Sequence, residues 1–190
     1  DVGANIGQFA IASSMFYPKT QIISFEPVQE SFSLLKKNTE NKKNITTYGC
    51  ALGDEKGTLT FYHNQHSHAS SALAISDFQT AQIPQTQQFN KIEVPVRRLD
   101  EFEAQIIPPA LLKLDVQGYE KKVLEGGLRF LQKVDYLLFE TSFVRMYDEE
   151  PLFEEMHEFV TRLGFTIVAP VGTLKANNQI VQLDMLYKRK

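Results

Sequence analysis

The sequence predicts a doubly wound α/β domain whose mainly parallel sheet closes with an antiparallel C-terminal hairpin. Three observations predict it. First, a turn with two glycines, Gly3-Ala4-Asn5-Ile6-Gly7, runs straight into an apolar-periodic stretch (Ile6, Phe9, Ala10, Ser13, Met15), as when a buried strand hands over to a helix. Second, short β-branched and aromatic runs alternate with helical stripes in the order βαβαβ, which feeds right-handed crossovers. Third, the last two strands have no helical stripe between them, so they must pair antiparallel.

In chain order, the first helix runs to about Tyr17 and stops at Pro18. Gln21–Phe25 is a strand ended by Glu26-Pro27, and 29–41 is a helix with Val28, Phe32 and Leu35 facing inward. Ile45–Cys50 is the third strand. A turn over Gly53–Gly57 precedes the alternation Thr58–Tyr62, and Ile92–Val96 forms a matching strand before a short acidic helix. Between them, 63–90 is polar and weakly periodic, so 57–98 reads as an insertion on the ligand side of the sheet. Regular alternation resumes with Ala110–Asp115, a helix over 119–131 interrupted at Gly126-Gly127, and the strand 134–139 closed by Glu140. Leu152, Phe153, Met156, Phe159, Val160 and Leu163 form one helical stripe after Pro151. Phe165–Val168 and Ile180–Tyr187 then make the hairpin.

A single domain is expected from 190 residues, 43% of them hydrophobic. A net charge of −3 without a basic stripe argues against nucleic acid as partner, and no run reaches the ~18 apolar residues of a membrane span. Cys50 is the only cysteine, which excludes an intrachain disulfide and points to a reducing, cytoplasmic compartment. Because a central parallel strand is a continuous apolar run, several residues are expected ahead of Asp1, and the first strand is read as truncated.

Three parallel strands end in acids: Glu26, Asp115 and Glu140. Glu26 lies 19 residues after Gly7, the offset at which an acid accepts from both hydroxyls of a ribose; the plainer reading is a cap on the next helix. The glycine spacing lacks the third glycine of a dinucleotide turn, and no Walker lysine follows. A nucleoside cofactor without a phosphate chain fits better than NAD, FAD or ATP.

Asp1–Gly7, Ser24-Phe25-Glu26-Pro27, Ala51-Leu52-Gly53-Asp54, Leu112–Glu120 and Leu124-Glu125-Gly126-Gly127 together resemble the FkbM-type methyltransferases, in matching order over residues 1–140. Gln117 departs from that pattern, since many relatives carry Glu there. The resemblance implies a seven-stranded Rossmann-like sheet and S-adenosyl-L-methionine as cofactor, with a hydroxyl of a sugar, glycan or small molecule as acceptor. It implies that Gly3, Asn5 and Gly7 bring backbone to the methionine end, that Asp1 holds its amino group and that Glu26 takes the ribose. It places Ala51, Leu52 and Asp54 near the adenine and Asp115 at the methyl-transfer site.

A hydroxyl is a poor nucleophile, so a positioned base is expected, and Asp115, taken as buried among apolar walls, is the first candidate; a cofactor-orienting acid is the plainer reading. His63, His66 and His68 form a second set, with His68 the alternative base and His66, Ser70, Ser71 and Glu140 expected near the substrate. No metal is expected. Arg97 and Arg98 are expected to pair with Asp100 or Glu101, and Tyr119, Phe143 and Tyr147 stay open between core and pocket. The competing readings are a non-catalytic S-adenosylmethionine-binding module and a nicotinamide-dependent oxidoreductase; RNA methylation is a weaker fourth. Oligomeric state is not legible.

Overall fold

Short runs rich in Ile, Leu and Phe bury both faces only in a sheet covered by helices, and such runs build the central sheet here. The computed structural model describes residues 1–64, 70–82 and 88–190. Along the chain lie α1 (Gln8–Phe16), β1 (Ile22–Phe25), α2 (Gln29–Thr39), β2 (Ile45–Tyr48), β3 (Ala51–Leu52), β4 (Gly57–Asn64) and α3 (Asp77–Gln82). They are followed by β5 (Phe89–Arg97), β6 (Leu111–Leu114), α4 (Glu120–Glu125), β7 (Tyr136–Ser142), α5 (Phe153–Arg162), β8 (Phe165–Ala176) and β9 (Gln179–Arg189).

β1 pairs in parallel with β2, and β6 in parallel with β7. Val2 makes parallel bridges to both Phe25 and Leu114, so the first residues of the chain lie between β1 and β6 and join the two pairs. β9 pairs antiparallel with β7 on one side and β8 on the other. The result is an α/β fold with a mixed sheet. Its core packs Phe25 on Tyr48 (centroids 5.3 Å apart) and on Phe102 (4.7 Å), with Phe139 stacked on Tyr187 at 5.3 Å. Each such ring contributes roughly 1.5–3 kcal/mol by leaving water. Among the described residues, no helix is long and apolar enough to cross a membrane.

Several expectations are corrected. The third strand ends at Tyr48, and Ala51–Leu52 leaves the main sheet to pair in parallel with β5. The helix over 119–131 stops at Glu125 because of the two glycines, and a separate 3₁₀ turn covers Phe130–Lys133. Met15 is 68% exposed rather than part of an inward stripe; the helix ends just after it because Tyr17 precedes Pro18 and leaves the helical region (φ −127°). Glu140 does not close its strand, since β7 continues to Ser142. The hairpin is longer than expected: Asn177 and Asn178 both take positive φ (48° and 63°), the two-residue turn that matches strand twist. β8 tolerates Pro170 because it is the sheet edge, and its register slips on both sides of that residue.

Within 57–98, β4 and β5 pair antiparallel from Gly57↔Val96 to Asn64↔Phe89 and form a second sheet with β3. The polar stretch between them holds α3, which composition concealed; the Ser76 hydroxyl accepts from the Gln79 N–H at 3.2 Å and so starts it. This segment docks on the loop after β7: the Ser76 hydroxyl donates to the Arg145 carbonyl (2.8 Å), and the Asp148 N–H donates to the Ala74 carbonyl (2.8 Å).

Candidate functional site

The opening turn is held by its neighbours' backbones. The Val2 N–H donates to the Lys113 carbonyl at 2.9 Å, the Asp115 N–H to the Val2 carbonyl at 3.0 Å, and the N–H groups of Gly3 and Ala4 converge on the Phe25 carbonyl at 3.1 and 2.9 Å. A side chain at position 3 has no room: its Cβ would sit 1.9 Å from the Asp115 carbonyl oxygen, at φ +77°. Gly7, at φ +98°, is the residue on which α1 begins, and its Cβ would meet Leu35 at 2.9 Å. Its glycine is required chiefly by that left-handed φ, since Leu35 can give way. It does not line the cavity, unlike Gly3 and Asn5.

That cavity, about 440 Å³, lies within the ~300–1,000 Å³ typical of small-molecule sites. Glu26 is among the residues that line it. It is 6% exposed, and each of its oxygens accepts one backbone N–H: Oε2 from Asn5 at 2.8 Å and Oε1 from Val28 at 2.9 Å. Val28 is the cap residue of α2, so the capping role and a ligand role share one carboxylate. Both oxygens keep a lone pair for further donors. Burial pushes the Glu26 carboxyl above its ordinary range, the two N–H bonds oppose that rise, and the charge of Asp115 adds to it.

Lys113 and Asp115 also line the cavity, two residues apart on β6 and the residues after it, hence on the same face. Lys113 Nζ lies 3.1 Å from Asp115 Oδ2 and 3.6 Å from Asp1 Oδ1, over the ring of Phe9. The expectation that Asp115 is buried among apolar walls is corrected: its side chain is 43% exposed and held by Lys113 and by the Gln117 amide at 2.7 Å. Asp1 is the buried acid, 1% exposed, with both carboxylate oxygens lacking a hydrogen-bond donor. Among the described residues, Lys113 at 3.6 Å is the cation that faces it.

Ala51 and Leu52 line the cavity on β3, with Cys50, Leu59, Phe61 and Tyr119 nearby. Burial pushes the Cys50 thiol up to about 11, so it acts as an inert wall. Asp54 does not line the cavity; Lys122 holds its carboxylate at 2.7 Å and lowers its pKa. Ser70 lines the cavity and accepts from the Asn64 N–H at 3.0 Å, with His63 Nδ1 at 3.4 Å. Ser71 instead donates to the Gln117 carbonyl at 2.6 Å. His66 and His68 lie outside the described residues. Glu140 borders a second cavity of about 220 Å³ on the hairpin and accepts from the Gln117 amide at 3.0 Å. Burial, followed by the charges of Asp115, Glu120, Asp184 and Glu150, pushes its carboxyl up to about 9. Arg97 pairs with Glu101 at 3.0 Å and Arg98 with Asp100 at 3.7 Å, as expected. Tyr147 is buried with its hydroxyl on Gln117, whereas Phe143 is exposed against Phe153.

Sequence reasoning assigned no role to Lys113, Gln117 or Tyr147. The period-two spacing of Lys113 and Asp115 was a usable signal; the reach of Tyr147 to Gln117 across thirty residues was not.

S-adenosylmethionine fits this donor set. Glu26 suits a ribose diol and the apolar wall of Ala51, Leu52 and Phe61 suits a flat base, whereas Asp1, expected to hold the amino group, does not line the cavity.

The family model of the methyltransferase FkbM domain matches residues 1–167. The 31-O-demethyl-FK506 methyltransferase FkbM of Streptomyces tacrolimicus is 28% identical, covering 96% of this chain and 78% of its own length. The hexuronic acid methyltransferase AglP of Haloferax volcanii is 26% identical, covering 74% of this chain and 54% of its own. The crystal structure of a methyltransferase FkbM from Methylobacillus flagellatus superposes with a TM-score of 0.59 at 17% identity, over 99% of this chain and 42% of that one.

Proposed function

The chain belongs to the FkbM family of methyltransferases, and from that premise we propose that it methylates a hydroxyl oxygen of a sugar, glycan or small-molecule acceptor. It is an enzyme of the S-adenosylmethionine-dependent kind. Relatives of comparable identity are named for 31-O-demethyl-FK506 and for a hexuronic acid, which supports oxygen as the methylated atom and leaves the acceptor to this chain's own residues.

The observation that carries the reading is Glu26, buried in the cavity wall with both oxygens pinned and a lone pair left on each. Glu26 would take the ribose, Lys113 the amino-acid end, and Ala51 and Leu52 the adenine. The cofactor supplies a methyl group already activated on a sulfonium, so the chain contributes geometry and a dry wall rather than covalent catalysis. Asp115, in its ion pair with Lys113, stands where it can accept the acceptor's hydroxyl proton. Ser70, on the segment between β4 and β5, supports reading 57–98 as a substrate-side cover. The strand order β2-β1-Val2-β6-β7-β9-β8 supports a seven-stranded Rossmann-like sheet in which Val2 holds the place between β1 and β6.

Calorimetry with S-adenosylmethionine and with NAD, followed by transfer of a tritiated methyl group across sugar, glycan and small-molecule alcohols, tests the proposal. S-adenosylmethionine binding with labelling of an alcohol is expected. Binding with no labelling of any hydroxyl acceptor would favour a non-catalytic module, and NAD binding alone an oxidoreductase.

A further inference from the structure

Gln117 uses both hydrogens of its side-chain amide on carboxyl groups. Its Nε2 donates to Asp115 Oδ1 at 2.7 Å and to Glu140 Oε2 at 3.0 Å. Its Oε1 accepts from the Tyr147 hydroxyl at 2.7 Å, and its backbone carbonyl from the Ser71 hydroxyl at 2.6 Å. The Tyr147 hydroxyl, approached in turn by Gln79 Nε2 at 3.4 Å, fixes which end of the amide faces the acids. The residue sits at φ +57°, a left-handed conformation that non-glycine residues hold only where the surroundings impose it. Asp115 and Gln117 line the cofactor cavity, whereas Glu140 lines the hairpin cavity with Thr173, Gln182 and Asp184. One amide therefore spans the two.

We propose that Gln117 is a positioning residue for methyl transfer: it clamps Asp115, at the cofactor cavity, to Glu140, at the hairpin cavity, so that an acceptor hydroxyl seated on the β8–β9 side meets Asp115 as its proton acceptor. This rests on the methyltransferase reading and adds the seat of the acceptor and its chemistry, a neutral hydroxyl-bearing group that both gives and takes hydrogen bonds. The groups facing Glu140 are Asp115, Glu120, Asp184 and Glu150, whose charges, after burial, keep it in the acid form at neutral pH. Lys113 pairs with Asp115 at 3.1 Å. The clamped pair thus carries a single negative charge, and Glu140 can donate to the acceptor while Asp115 accepts from it. In the transfer, the acceptor O–H bond breaks and its proton goes to Asp115. The freed oxygen pair forms the O–CH₃ bond, and the electrons of the broken CH₃–S bond stay on sulfur, which loses its charge.

The test is a ¹³C-carboxyl NMR titration of Glu140, assigned with Glu140→Gln, in the S-adenosylmethionine-bound wild type, Gln117→Leu and Gln117→Asn. Asn accepts the left-handed backbone but is one carbon too short to reach both acids, so it guards against a variant that simply fails to fold. In the wild type, Glu140 is expected to stay in the acid form through neutral pH and to titrate near 9. In both variants the unclamped carboxyl turns to solvent and its proton affinity falls about tenfold or more. An unchanged midpoint in the folded variants overturns the clamp. Failure of the wild type to bind S-adenosylmethionine sinks the methyltransferase reading instead, and the same titration on the free protein still judges the clamp.

Discussion

Replacing Glu26 by Gln changes one oxygen to an amino group and leaves the side chain's shape intact. The two carboxylate oxygens accept from Asn5 N–H at 2.8 Å and Val28 N–H at 2.9 Å, so the new amino group must face one of those donors with a donor of its own. One buried backbone N–H loses its partner, which costs about 1–3 kcal/mol. A ribose hydroxyl also loses a charged acceptor, a hydrogen bond contributing about 1.5–3 kcal/mol. At ~1.4 kcal/mol per factor of ten, the second loss alone predicts cofactor affinity weaker by about 10- to 150-fold. The assay is calorimetric titration of S-adenosylmethionine into both proteins, with a thermal melt to show that the variant is folded. In the wild type, affinity should also fall on acidification, beginning above the usual glutamate range because burial raises this carboxyl. That pH dependence should vanish in the variant. An affinity within about twofold of wild type, ~0.4 kcal/mol, in a folded Glu26→Gln protein would refute the ribose role and leave Glu26 as a helix cap alone.

Gly3→Ala drives a methyl group to 1.9 Å from the Asp115 carbonyl at φ +77°, so a loss of about 2–4 kcal/mol in chemical denaturation is expected, and a loss below ~0.5 kcal/mol would mean the turn can open freely. Asp115→Asn should lower turnover about 100-fold or more while cofactor affinity stays within about threefold, as expected of a lost base; an unchanged rate removes Asp115 from that role. Burial, as the first cause, pushes Glu120 up to about 8 and Glu140 up to about 9. Between the ordinary glutamate value of ~4.3 and those values the folded chain binds more protons than the unfolded one, so stability present at low pH is lost as pH rises. Thermal melts should therefore drop in midpoint from pH 6 to 9, and Glu120→Gln should flatten the slope; a midpoint that climbs across this window contradicts the assignment.

The cofactor half of the site was legible because its requirements are local. The glycine turn, the acid at the end of β1 and the distance between them lie within one βαβ unit, where spacing along the chain sets spacing in the fold, although the carbonyl that Gly3 presses against is that of Asp115 at the end of a distant strand. The same locality explains the misplacements. Asp54 looked available in its motif but meets Lys122, which comes from α4 far along the chain. Gly7 belonged to the turn by spacing, yet it takes φ +98° where α1 begins and does not line the cavity. Asp115 was placed correctly on its strand, but its environment was misjudged because Lys113 and Gln117 both reach its carboxylate.

By itself, the sequence determined the alternation of strands and helices, the antiparallel ending, the glycine turn and Glu26 at its ribose offset, since periodicity and steric exclusion act between near neighbours. Only the tertiary structure decided that Val2 joins two strand pairs, that β3 leaves the main sheet, and that Ser71, Tyr147 and Glu140 converge on Gln117. The contacts on Gln117 join residues 23 to 46 positions apart, and no local pattern encodes them. They arise when the sheet edge, the insertion and the loop after β7 each bury polar groups that must find partners.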